Sequence, residues 1–423
     1  MTTGSSFTPP TPPCRPVAGE EVDAPAHDAP LAGAAGGAAG GGDRSAVPLG
    51  LSHVVVNSPQ RTVVEQFSCD QLGSRAFENC GRRGRPVGSG AVRRRIRLLG
   101  RGVRLPRALV GLCWLVLVSL AALALARLAG GDGNELLAEV NSLNGLAYVP
   151  AWPVLLLAGL GRRPVLLLAA LAVVAAQLAF ALPEVLAGRA LPAWAGSAGA
   201  VRLFDANVGS DIGNLDMSGF ARQIERDRPG VVTLEEISPA DFARLASNGG
   251  LAGLPYRSYV GGAAPWGFGI ASRFPLRVGR ALFDGPDPFL VPTRLRVGGT
   301  TVRLWMVHTD APPTSVARWR SDLDRIAARV AAEGRSRLVV AGDFNASWGN
   351  AGFRAVLERG LVDGAAARGV PFQMTWPANR AVPPLVRIDH VLTGTGVAVR
   401  RIAAVDGPGS DHRALEATVA IRG

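Results

Sequence analysis

Leu338-Val339-Val340-Ala341-Gly342-Asp343-Phe344-Asn345 is an apolar run that reaches a glycine and then sets an acid and an amide two residues apart. An uninterrupted apolar stretch of this length reads as a strand buried on both faces. Side chains alternate along a strand, so Asp343 and Asn345 point to the same side where it ends. Taken alone, such a pair fits a strand-to-loop Asx turn as well as a reactive cleft.

Working outward, four more strand-like runs end on groups of the same kind. Val302-Arg303-Leu304-Trp305-Met306-Val307 closes on His308, and Val231-Val232-Thr233-Leu234 on Glu235-Glu236. Phe204-Asp205-Ala206-Asn207-Val208 ends the first of these runs, and Arg387-Ile388-Asp389-His390 begins one of the last. Gly409-Ser410-Asp411-His412 lies close to the C-terminus. Phosphate esters resist hydrolysis because their own charge repels the nucleophile and the leaving oxygen needs stabilisation. A divalent cation relieves both, and Mg²⁺ is held by one or two carboxylates among oxygen ligands. No Gly-rich phosphate loop, nucleophilic serine elbow or cysteine-based zinc motif competes with that chemistry.

This ordered set resembles the endonuclease/exonuclease/phosphatase superfamily, which includes DNase I-like nucleases, abasic-site endonucleases, neutral sphingomyelinases and inositol-phosphate 5-phosphatases. Leu234-Glu235-Glu236 is similar to the family's Leu-Gln-Glu, which implies that Glu236 binds metal and that Glu235 replaces the usual glutamine. Alternation along a strand allows only one of the two acids to face the site if extension continues. Asn207 matches the family's opening asparagine in the metal and phosphate network, with Gly209 where some nuclease members carry an acid. The resemblance makes Asp343 the residue that orients or deprotonates water, and places Asn345 and His308 on phosphate. Asp389 becomes the partner of His412, fixing its tautomer and raising its basicity. His412 then stabilises developing charge, and Asp411 supports the metal shell. Either Asp343 or His412 takes the proton. All three histidines beyond residue 200, His308, His390 and His412, fall inside these motifs; His390 reads as structural, because Asp389 takes the inward position.

Gly267 to Pro275 resembles the family's Gly-x-x-Ile-x-Ser-Arg-x-Pro strand, and Thr375-Trp376-Pro377 its loop beside the site. The implied fold is α/β, a four-layer αββα sandwich (DNase I-like) over residues 199–423, preceded by transmembrane helices. Strands are expected at Val201–Phe204, Val231–Leu234, Gly269–Ser272, Val302–His308, Leu338–Ala341 and Ile388–Leu392. Helices are expected at Ser218–Asp227 and Val316–Glu333, where Trp319, Leu323, Ile326 and Val330 recur at helical spacing.

The 423 residues carry a net charge of +12 with no lysine at all. Ten arginines fall between Arg82 and Arg107, whereas from Ala200 onward 27 arginines face 21 acids, a net of only +6. The basic balance therefore argues less for nucleic acid than for a topology signal beside a hydrophobic segment. Residues 1–108 are rich in Pro, Gly and Ala and read as a disordered, Arg-rich cytoplasmic region. A transmembrane region at 109–187 follows, with spans at about 109–129, 143–160 and 164–186; Pro150 and Pro153 interrupt the middle one. Arg93 to Arg107 and Arg162-Arg163 mark cytoplasmic flanks, while Asp132, Glu135 and Glu139 occupy the loop between the first two spans. The expected location is a multi-pass cell-membrane protein with its catalytic domain outside the cytoplasm. All four cysteines, Cys14, Cys69, Cys80 and Cys113, precede that domain, which leaves it without disulfide or thiolate chemistry.

The reading is a membrane-anchored, Mg²⁺- or Mn²⁺-dependent phosphoesterase that hydrolyses a phosphodiester, as a nuclease does, by in-line water attack, with no obligate protein partner. Its alternatives are a phospholipid, sphingomyelin or inositol-phosphate esterase, and a catalytically inactive anchored binding protein.

Overall fold

The computed structural model describes residues 103–209, 215–262 and 267–423. Of the expected disordered cytoplasmic stretch, residues 1–108, residues 1–102 lie outside the described residues, and Arg107 and Ala108 already belong to the first helix. Helices are α1 (Arg107–Leu128), α2 (Glu135–Ser142), α3 (Ala151–Leu160), α4 (Pro164–Val185), α5 (Ala193–Ser197), α6 (Met217–Asp227), α7 (Pro239–Ser247), α8 (Pro312–Glu333), α9 (Ala351–Glu358) and α10 (Gly364–Ala367). Strands are β1 (Gly199–Asn207), β2 (Val231–Ile237), β3 (Tyr256–Gly261), β4 (Gly267–Ser272), β5 (Leu276–Val278), β6 (Leu282–Asp284), β7 (Asp287–Val297), β8 (Thr300–His308), β9 (Leu338–Asp343), β10 (Val362–Asp363), β11 (Asp389–Thr393), β12 (Val397–Val405) and β13 (Ala414–Ile421).

One sheet runs β12-β13-β1-β2-β4-β3 and the other β10-β11-β9-β8-β7-β5, with β6 paired to β7. Alternation along each strand supplies two apolar faces. Leu203, Ile270, Met306, Val339, Ala341, Val391 and Val419 point between the sheets into one buried cluster. On the outer face of the second sheet, Trp305, Val307 and Val340 pack against Trp319, Leu323 and Ile326 of α8 and Phe353 of α9. Phe204, Val232 and Leu234 cover the other sheet and meet Phe220 and Ile224 of α6 and Leu245 of α7. The layers are therefore helix, sheet, sheet, helix, the αββα sandwich the motifs implied. Pro312 and Pro313 open α8, where missing backbone donors cost nothing, and Gly334, at φ 69°, ends it.

Register brings the polar strand ends together. β1 and β2 are parallel, with Asn207 opposite Glu235. β8 and β9 are parallel, with His308 opposite Asp343, and antiparallel β11 sets Asp389 against the other side of Asp343. Gly342 lets β9 finish this way: at φ 131°, an added Cβ would lie 2.0 Å from the Val307 carbonyl oxygen.

Among the described residues, two helices, α1 and α4, are long and apolar enough to cross a membrane. The middle expected span, 143–160, is not one straight helix. A 3-10 turn at Asn144–Tyr148 precedes α3, because the two prolines break the helical ladder. Ten residues of α-helix cover about 15 Å, half of an apolar bilayer core. The pair α2 and Asn144–Leu160 is bent by 102°. Even so, the Val103 N–H donates to Leu160 O (2.9 Å) at one end of α1. At its other end Arg127 Nη2 donates to Asn144 Oδ1 (3.0 Å). Residues 144–160 thus run antiparallel beside α1, with Ala151, Ala158 and Ala170 fully buried where helices approach closely.

Candidate active site

Glu236 reaches the cleft through a break in β2. The ladder with β4 shifts register between Leu234 and Ile237, and Glu236 adopts φ 48°, a left-handed conformation costing about 1–3 kcal/mol for a residue other than glycine. That bulge separates the two neighbouring acids. Glu235 is fully buried with neither carboxylate oxygen hydrogen-bonded, while Glu236 meets His308 Nε2 at 3.0 Å. Asn345, at φ 46°, turns the chain after β9 in a conformation asparagine tolerates. Its N–H donates to Asp343 Oδ1 (2.7 Å), and its Nδ2 to the Thr309 carbonyl (3.0 Å).

Asn207 joins the two sheets. Its Nδ2 donates to Glu236 Oε1 (2.9 Å) and to Asp343 Oδ2 (3.1 Å), and its Oδ1 accepts from the Gly209 N–H (3.2 Å). Asn207 was expected among the metal ligands; placed this way, its amide spaces and orients two carboxylates, and its oxygen is already engaged. His412 Nδ1 lies 2.9 Å from Asp389 Oδ2, and its Nε2 lies 3.7 Å from Asp343 Oδ2. Carboxylate contact at Nδ1 puts a proton there and aims Nε2 at the cleft. Asp411 is beside them, 4.0 Å from His412 Nε2, with its Oδ2 accepting from the Trp376 indole (3.0 Å). His390 stands apart: its Nε2 lies 3.0 Å from the Ala346 carbonyl oxygen and its Nδ1 2.8 Å from Arg387 Nη1, a structural role.

Three hydroxyls that hold this arrangement were not given roles from the sequence. Ser410 Oγ donates to Asn207 O (2.8 Å) and accepts from the His412 N–H (2.9 Å). Thr309 Oγ1 donates to Phe344 O (2.7 Å), and Thr375 Oγ1 accepts from the Ile388 and Asp389 N–H groups. Ser410 and Thr375 stood inside quoted motifs, but small polar residues at strand ends carry no signal of which backbone group they will meet.

Electrostatics divides these groups by role. Burial favours the neutral form of Glu236, but the His308 hydrogen bond and charge outweigh it and hold the carboxyl down to about 2. Burial opposes the charged form of His308 as well, and its hydrogen bond to Glu236 raises it instead. Burial, then the charge of Asp389, lifts Asp343 to about 6 against the pull of His412 and His308. His412 loses solvation too, yet the charges of Asp389 and Asp343 raise it to about 10. Beneath the cleft, burial pushes Asp205 up to about 8 against its hydrogen bond from Thr233.

Among the described residues, two sets of potential ligand atoms lie within 4.8 Å of one another: Glu236, His308 and Asp343, and Asp343, Asp389 and His412. Each set contains one imidazole–carboxylate contact, Glu236–His308 in the first and Asp389–His412 in the second. The first offers two carboxylates with unfilled lone pairs, held apart by one amide, a hard-oxygen donor set that suits Mg²⁺ or Mn²⁺.

Residues 206–412 match the model of the Endonuclease/Exonuclease/phosphatase family. No curated protein matches the chain. Solved structures similar to it include an endonuclease/exonuclease/phosphatase from Beutenbergia cavernae DSM 12333, at 20% identity, covering 53% of this chain and 72% of that one, TM-score 0.42. A D. rerio TDP2 complexed with single-strand DNA product shares 18% identity over 52% of this chain and 99% of its own, TM-score 0.42. The Bacteroides thetaiotaomicron VPI-5482 mannosyl-6-phosphatase Bt3783 shares 14% over 52% of this chain and 100% of its own, TM-score 0.44. Residues 206–412, the part of the chain that carries the cleft, are similar by this model to the Endonuclease/Exonuclease/phosphatase family, whose members are phosphoester hydrolases.

Proposed function

We propose that the protein is a membrane-anchored, divalent-metal-dependent phosphodiesterase. The observation that carries this reading is the convergence of Glu236, Asn207, His308, Asp343, Asp389 and His412, drawn from both sheets, on one cleft. Glu236 and Asp343 would hold Mg²⁺ or Mn²⁺, with Asp411 at the edge of the shell; the cation neutralises phosphate charge and lowers the pKa of bound water. Asp343 orients the attacking water and accepts its proton once ionised. His308 and Asn345 border the same cleft and receive the phosphate oxygens. His412, kept protonated by Asp389, stabilises the charge that grows on the ester.

The anchor is proposed to cross the membrane three times, through α1, residues 144–160 and α4. Support comes from the hydrogen bonds that tie both ends of the middle segment to the two ends of α1. Basic flanks on the inside then leave the catalytic domain outside the cytoplasm.

A lipid phosphoester is the second reading. The flap beside Asp411 exposes Phe372 (71%), Val382 (52%), Leu385 (42%) and Trp376 (37%), a run of large apolar groups that solvent does not favour. Full-length protein in detergent, supplied with Mg²⁺, Mn²⁺ or EDTA, is to be assayed on DNA, RNA, sphingomyelin, inositol phosphates and bis(p-nitrophenyl) phosphate. Salt-sensitive turnover of nucleic acid supports the first reading, turnover only of micellar lipid the second, and turnover undiminished by EDTA removes metal dependence.

A further inference from the structure

The segment between the first two apolar stretches does not hang free. Asp132, 3% exposed, reaches the catalytic domain and accepts from the Ala351 N–H through Oδ2 (2.6 Å). Ala351 is the first residue of α9, whose own N-cap residue, Asn350, provides no side-chain cap. Asn350 is occupied elsewhere: its Nδ2 donates to Ala138 O (2.9 Å). Its Oδ1 accepts from the Ser347 N–H (2.9 Å) and from Ser142 Oγ (2.9 Å). Ser347 Oγ in turn donates to Ser142 O (2.8 Å). An anionic acceptor at a helix start satisfies an otherwise unpaired donor and complements the helix dipole; here it comes from another part of the chain. Gly349 completes the fit, since a Cβ there would lie 1.6 Å from Asn141 O. The loop gripped in this way, 346–350, directly follows Asn345.

A second tie leaves the last turn of α4. Glu184 Oε1 accepts from Arg387 Nη2 (2.6 Å) and Glu184 Oε2 from Asn144 Nδ2 (2.8 Å). Arg387 is 3% exposed at its side chain, and its Nη1 donates to Asp363 Oδ2 (2.7 Å). It begins the run that carries Asp389 two residues later, and it touches His390, which bonds the Ala346 carbonyl. The two ties therefore meet around one loop and one strand start.

We propose that Asp132 and Glu184 are positioning residues of the hydrolase: the anchor holds the loop after Asn345 and the start of β11, so that the cleft takes its working geometry only with the anchor docked. The activity part of the test rests on the phosphodiesterase reading; the exchange part does not.

Full-length protein in detergent micelles is compared with Asp132→Ala, Asp132→Asn and Glu184→Gln. Turnover of bis(p-nitrophenyl) phosphate with Mg²⁺ and amide hydrogen exchange across residues 346–352 are both measured. Loss of a buried cap predicts about tenfold faster exchange at Ala351 and its neighbours in Asp132→Ala. The kcat falls to a similar extent with KM nearly unchanged, because the groups displaced act on the reacting ester. Asp132→Asn retains an acceptor and falls between parent and alanine variant; if Asp132→Ala does not fold, it and Glu184→Gln carry the test. Exchange and kcat equal to those of the parent in all folded variants overturn the proposal. If the parent itself hydrolyses nothing, the phosphodiesterase reading fails, and exchange alone decides: faster exchange in the variants supports positioning, and unchanged exchange ends it.

Discussion

Asp343 and His412 face each other across 3.7 Å with Asp389 behind the imidazole, so their protonation sets the working pH. Activity should rise as Asp343 ionises near 6 and fall as His412 loses its proton near 10. A bound cation moves the lower limb further down, because positive charge favours the carboxylate. Asp389→Asn removes the largest of the charges that raise His412, and the upper limb of kcat/KM against pH should move to lower pH; an unmoved limb would separate Asp389 from His412. Asp205 titrates with the opposite consequence for stability. Its folded-state value of about 8 lies above that of an unfolded aspartate, so the folded state binds the extra proton between about pH 4 and 8 and loses stability as pH rises through that window. Asp205→Asn should melt higher than the parent at pH 8 and lose that advantage near pH 4. The proposed site residues were picked out because each stood in a motif, and Leu234-Glu235-Glu236 already singled out Glu236; what the sequence did not announce was the bulge that turns it. A left-handed glutamate at a bulge goes against its own backbone preference, and only the surrounding ladder imposes it.

Among the elements, β9 was the easiest to read: a buried apolar run cannot alternate, and Gly342 marks its end. Gly342→Ala should cost about 3 kcal/mol or more, since the new methyl meets the Val307 carbonyl in a backbone conformation that alanine avoids. Thermal melting checks this, and a parental midpoint would mean that β8 and β9 are not packed as described. The stripe Trp319, Leu323, Ile326 and Val330 announced α8, and all four residues are buried. β7 and β12 escaped notice for a physical reason. β7 carries Pro288 and Pro292, and both strands carry arginines, Arg294 and Arg296 in one and Arg400 and Arg401 in the other. Prolines interrupt a strand pattern and arginines mimic a loop, yet the inner faces of both strands still pack between the sheets. α2 gave no sign of docking, because Ala138 and Ser142 find their partners more than two hundred residues away.

At the scale of the whole chain, the apolar helices and the αββα domain form one continuous structure, and the sequence announced both while leaving the joint between them unread. The proposed three passes would place Gly423 outside the cytoplasm, so a reporter fused there should be active only in the non-cytoplasmic compartment; a cytoplasmic signal would mean that residues 144–160 do not cross. The central claim is that groups from both sheets act as one catalytic unit. The most direct measurement is the Mg²⁺-dependent turnover of bis(p-nitrophenyl) phosphate by the full chain, Asp343→Asn, His412→Ala and the double variant. Each single change should lower kcat roughly 100- to 1,000-fold, and the double variant should be little worse than either, as for residues that serve one step. Single variants as active as the parent, or losses that simply multiply in the double variant, would contradict it.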